Sequence, residues 1–145
     1  MNPAVTHPEE IRIAVQDESD VPMVRKRARD FGRGAGLSAS AVESLAIALS
    51  EVARNIVVHA GGGGYVVLRR DEAGARRHVV AVASDTGPGI VDLARAMEDG
   101  YSTGTGLGLG LPSARRLADE FQILSSPGQG TTITLVMRIP EPAAR

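Results

Sequence analysis

Three groups of residues in this chain have the types and spacing to do chemistry on a nucleotide. The first is Glu51, Asn55 and His59, four apart in a segment with helical periodicity. They therefore share one stripe, with ~6 Å of rise between neighbours. A carboxylate and an amide so placed can orient a nucleophile and complete the oxygen shell of a magnesium ion otherwise held by phosphates and water. The same spacing also describes the polar outer face of an amphipathic helix. The second group is Asp85, at the end of an apolar run, followed by Gly87, Pro88 and Gly89. Buried and ionised at the mouth of a core, one carboxylate needs a donor such as the exocyclic amino group of adenine, or a water. Gly87 and Gly89 permit backbone to approach a flat base or ribose while Pro88 stiffens the turn, and an ordinary strand-to-helix turn is the competing reading. In the third group Gly104, Gly106, Gly108 and Gly110 alternate with Thr105, Leu107, Leu109 and Leu111, directly before a helical pattern. Free amides at a helix start suit phosphates, and leucine at every second position is not the composition of a plain linker.

Other nucleotide chemistries are excluded by composition. Lys26 is the only lysine, so neither a Walker A loop nor a kinase with a strand lysine fits. Nothing reads Gly-x-Gly-x-x-Gly, which removes the dinucleotide fingerprint. With no cysteine, and with His7, His59 and His78 at no metal-ligand spacing, thiol chemistry and structural zinc are set aside. A net charge of -1 gives no field favouring nucleic acid or an anionic membrane. The start of the chain has no signal-peptide pattern, and no apolar run approaches the ~20 residues of a membrane span, so a cytoplasmic protein is expected.

The elements that must position these groups follow from periodicity. The 145 residues suit one domain, with 1–9 and 140–145 expected to fray. Glu10 to Val15 alternates as a half-buried strand. Asp20 can cap a helix over Val21 to Arg33, ended by Gly32, Gly34 and Gly36, whose basic run reads as a solvated face. Ser38 or Ser40 can cap the next helix, Ala39 to His59, with Val42, Leu45, Leu49, Val52, Ile56 and Ala60 as its apolar stripe. Four glycines, Gly61 to Gly64, force a turn. Tyr65 to Leu68 and His78 to Ala83 then read as a hairpin, the second strand interior and covered on both faces. A short helix is expected over Val91 to Met97, a loop to Gly106, and a helix over Leu109 to Phe121 with Pro112 in its first turn. Strands Phe121 to Ser125 and Thr131 to Ile139 meet at a turn over Pro127 to Gly130. The pattern predicts an α/β fold, a two-layer sandwich of a mixed β-sheet with helices on one face.

Taken together, and in this order, the three groups resemble the N, G1 and G2 boxes of the GHKL (Bergerat-fold) ATP-binding domains, over about Ile11 to Ile139. The small size and the N box from Glu51 to Ala60 resemble the anti-sigma-factor type of bacterial serine/threonine kinase. The stretch from Met97 to Phe121 is similar to the stressosome switch kinases, the RsbT type. The resemblance implies a catalytic role for Glu51 as general base or polariser, magnesium ligation by Asn55 and adenine recognition by Asp85. It implies a nucleotide-enclosing role for Gly87, Gly89, Gly104, Gly106, Gly108 and Gly110, and places Thr131 near adenine. ATP and magnesium are the implied cofactors. The implied partners are STAS-domain substrates (RsbS- or RsbR-like), after which such kinases activate a PP2C-type phosphatase (RsbU-like) in stress signalling. Arg54, Arg115 and Arg116 are candidates for a cation at the γ-phosphate. Two alternatives remain: an RsbW-type anti-sigma factor kinase, and a nucleotide-gated binding module without phosphotransfer.

Overall fold

Helix α2 is the frame on which the rest is built. In the computed structural model, which describes residues 9–72, 76–89 and 111–141, the chain runs β1 (Glu10–Val15), α1 (Asp20–Ala35), α2 (Ala39–His59), β2 (Gly64–Asp71), β3 (Arg77–Asp85), α3 (Leu111–Leu117), β4 (Glu120–Ser125) and β5 (Thr131–Ile139). Val42, Leu45, Leu49, Val52 and Ile56 bury one stripe of α2, as the periodicity predicts. Of the two serines that could cap it, Ser38 does, its Oγ accepting the Ala41 N–H at 3.2 Å.

The sheet order is β1-β2-β3-β5-β4. Every described pairing is antiparallel, so the expected sandwich is present with a sheet more regular than the mixed one anticipated. The register sets Ile13, Val66, Ala83 and Ile133 in one row across the strands. This row is buried together with the apolar stripes of the three helices. Because side chains alternate faces, Arg12, Val67, Val82 and Thr134 point to the opposite side. There Arg12 lies over the Tyr65 ring, 3.8 Å from its centroid. β3 is interior, between β2 and β5, but among the described residues helices cover only one of its faces, not both.

Four local differences from the expected elements have physical causes. Asp20 does not cap α1: its Oδ2 accepts the N–H of Gln16 at 2.8 Å and of Asp17 at 3.2 Å, closing the preceding turn, and Ser19 takes the cap position. Those backbone donors, Gln16 before Asp17, hold the Asp20 carboxyl below its ordinary value. The basic run of α1 is not wholly a solvated face. Arg25 Nε donates to the buried Ser50 Oγ at 2.9 Å and Arg29 pairs with Glu43 at 3.1 Å, tying α1 to α2. Phe121 belongs to β4 and not to the preceding helix, because Asp119 has already joined the sheet. Its N–H donates to the Val136 carbonyl at 3.0 Å and its Oδ2 accepts the Arg138 N–H at 2.7 Å. Glu9 and Pro140, expected in the frayed tails, hold hydrogen bonds to Arg70 and Arg77. The helix expected over Val91 to Met97 and the loop after it lie outside the described residues.

Candidate functional site

The candidate site begins where β3 and β5 end their pairing. Asp85, the last residue of β3, stands opposite Thr131 on one side and Gly64 on the other. It is half-buried rather than buried, and its Oδ1 accepts the Gly87 N–H at 2.9 Å. No described residue bonds its second oxygen, which leaves one acceptor for a ligand donor. Thr131 is buried, with Oγ1 2.8 Å from Ser125 Oγ. Ser125 Oγ also lies 3.1 Å from the Gly130 carbonyl, to which it can donate.

Two glycines bring the backbones this close. Gly87 lies against the C-terminal end of α2, where a Cβ would stand 2.6 Å from Ala60 Cα. Gly130 has φ +79°, and a Cβ there would overlap the Asp85 carbonyl oxygen. Alanine at position 130 would meet both the left-handed conformation, at about 1–2 kcal/mol, and that overlap. We expect Gly130→Ala to destabilise the fold by roughly 2 kcal/mol or more in urea unfolding. An unchanged midpoint would show that the two strands part freely here. The Gly128 N–H donates to the Pro88 carbonyl at 2.7 Å, holding the β4–β5 turn to the turn after Asp85.

The contact at Ala60 joins the sheet end to the chemical stripe of α2. Counting back along the helix, Asn55 is ~7 Å and Glu51 ~13 Å of rise from Ala60. Asp85 and Glu51 thus stand toward the two ends of this stretch, a length that would suit a base at one end and a phosphate chain toward the other. Asn55 is 6% exposed, and no described residue hydrogen-bonds its amide. A buried amide without a partner among the described residues suits an amide oxygen offered to a cation. Among the described residues no group of three or more His, Cys, Asp or Glu could hold a metal. A magnesium ion here would draw its other oxygens from phosphates and water. Glu51 keeps 26% of its side chain exposed and its Oε1 lies 3.2 Å from Arg54 Nη1, while Arg54 Nε is 3.8 Å from Glu18.

The structure therefore brings together Glu51, Asn55, Asp85, Gly87, Gly89 and Thr131 along one helix and one sheet end. Of the three arginines considered, Arg54 is at Glu51; Arg115 and Arg116 are exposed on α3. Gly104, Gly106, Gly108 and Gly110 lie outside the described residues. Sequence reasoning missed Ser125, Gly64 and Gly130 as parts of this site, and read Ala60 only as the end of the apolar stripe of α2. Gly64 and Gly130 each close a glycine turn where a strand starts, which is a visible cue, but their convergence on Asp85 depends on strand register.

Comparison with known proteins agrees with this fold. Residues 9–137 match the family described as the histidine kinase-like ATPase domain. The chain is 36% identical over 124 residues to the serine/threonine-protein kinase RsbT of Bacillus subtilis strain 168, covering 86% of this chain and 92% of RsbT. Its fold is also similar to the crystal structure of the RsbU and RsbW domains of Rv1364c from Mycobacterium tuberculosis, with TM-score 0.67 and 24% identity. That match covers 94% of this chain and 34% of the other, so this chain spans about a third of that protein's length. No described helix is long and apolar enough to cross a membrane.

Proposed function

This chain belongs to the histidine kinase-like ATPase domain family, and from that premise we propose that it phosphorylates a STAS-domain regulator and then changes partner to activate a PP2C-type phosphatase in cytoplasmic sigma-factor control. It is a serine/threonine-protein kinase that uses ATP. The observation that carries the assignment of roles is the placement of Glu51 one helical turn from the buried Asn55 amide, on a helix whose end abuts the turn after Asp85.

In this reading the second oxygen of Asp85 accepts the adenine amino group, and Thr131 lies beside it. Gly87 and Gly89, with Gly104, Gly106, Gly108 and Gly110, enclose the nucleotide. Asn55 offers an oxygen to magnesium, which when bound would neutralise phosphate charge. Glu51 takes the proton of the acceptor hydroxyl as its oxygen bonds to the γ-phosphorus. The bond from that phosphorus to the β–γ bridging oxygen breaks and ADP leaves. Such a transfer needs little covalent help from the protein, so positioning supplies most of the acceleration.

Incubation with labelled ATP and candidate STAS-domain proteins should place label on a serine or threonine of one of them. The released kinase should then stimulate a PP2C-type phosphatase. A chain that binds ATP and labels no STAS protein would instead be a nucleotide-gated binding module. Asn55→Ala should bind nucleotide with an affinity that no longer rises on adding magnesium, read by calorimetry with and without the ion. A response equal to the parent's would remove Asn55 as ligand.

A further inference from the structure

Two of the large aliphatic side chains left exposed lie on α2: Ile47 at 47% and Val58 at 45%. They stand about three turns, or roughly 16 Å, apart and so share one helix face. Between them on that face are Glu51, one turn from Ile47, and Arg54, which holds the Glu51 carboxylate at 3.2 Å. Neither residue is explained by the helix itself. β-Branched side chains are poorer helix formers than alanine, glutamate or lysine, and the core of this fold contains neither Ile47 nor Val58. Scattered exposed apolar residues are ordinary; a pair bracketing the candidate base is a surface with a use.

The occupant follows from the chemistry between them. An acceptor hydroxyl must come within hydrogen-bond reach of Glu51, so the protein that carries it must cross α2 at that residue. A stable protein contact covers ~800 Å² on each side, far wider than one helical turn. A partner seated on Glu51 therefore also covers Ile47, ~6 Å along the axis, and Val58, ~10 Å the other way. Resting on the kinase reading above, we infer that the Ile47–Val58 face of α2 docks the phosphoacceptor protein. That protein presents apolar side chains on both sides of its serine or threonine.

The test uses the full chain and the STAS-domain protein that the parent labels. Ile47→Glu and Val58→Glu suit an exposed helix and should keep the fold. Each should raise the KM for the acceptor at least about tenfold, as expected for an apolar anchor in a contact. Turnover at saturating acceptor should stay within about twofold, and ATP affinity by calorimetry should equal the parent's. Met23→Glu and Leu124→Glu put the same charge at exposed apolar positions away from this face and should leave KM unchanged. Ile47→Leu should behave as the parent. An unaltered KM in the α2 variants overturns the docking face while leaving the kinase reading intact, as does an equal rise in the controls. Loss of ATP affinity in place of a KM effect, or a parent dimer that the α2 variants dissociate, would also overturn it. A parent that labels no STAS protein defeats the kinase reading itself, before any substitution is made, and the docking face with it.

Discussion

Asp85→Asn is expected to weaken adenine-nucleotide binding by at least about a hundredfold, the cost of a mispaired hydrogen-bonding group facing the base. One oxygen of Asp85 is occupied by the Gly87 N–H at 2.9 Å. In the asparagine variant the amide oxygen keeps that bond, and the NH₂ group takes the place of the second oxygen. Two donors, the amide and the adenine amino group, would then face each other. Flipping the amide only moves the fault, because the Gly87 N–H loses its acceptor. The variant should fold, since the side chain is half-buried at a strand end and its shape is unchanged. Isothermal titration of the folded variant with ATP decides the matter, and parent-like affinity would take Asp85 out of the adenine site.

Glu51→Ala should separate chemistry from binding. The side chain is on the outer face of α2, its only described ion pair is the part-exposed one with Arg54, and alanine favours helix, so stability should change little. Nucleotide affinity should persist, because the proposed contacts to base and metal lie elsewhere along the site. Phosphoryl transfer to the acceptor should fall by about 10²–10⁴-fold, the range for a positioned acid–base group. Phosphatase activation, which requires no proton transfer, should largely survive. A Glu51→Ala protein that labels its acceptor at the parent's rate would end the general-base assignment.

How much could be read in advance depended on how local the cause was. α2 was legible at both ends, since its apolar stripe repeats over 21 residues and Ser38 precedes it. β5 was equally clear from alternation over Thr131 to Ile139. Asp20 was misread because a carboxylate at a helix start can serve the turn before it as easily as the helix after it. Phe121 was ambiguous because its apolar side chain satisfies a helical stripe and a strand row alike; Asp119, bonded to Val136 and Arg138, decides between them. The residue types of the site were visible at Glu51, Asn55 and Asp85. Their meeting was not, because it depends on a turn lying against Ala60 from a distant part of the chain. The partnership of Glu51 with Arg54 was within reach, at helical spacing, and only its link to Glu18 needed the fold.

The contact of Gly87 with the end of α2 has a thermodynamic consequence. It is a point where the helical layer and the sheet layer touch without side chains between them, and the proposed nucleotide would span both layers beside it. A ligand gripping both layers is bound by the folded chain and not by the unfolded one. It would add about 2.7 kcal/mol of stability at a hundred times its dissociation constant. The melting temperature of this protein would then be a gauge of nucleotide concentration, and the Asp85 and Asn55 variants should read that gauge differently from the parent.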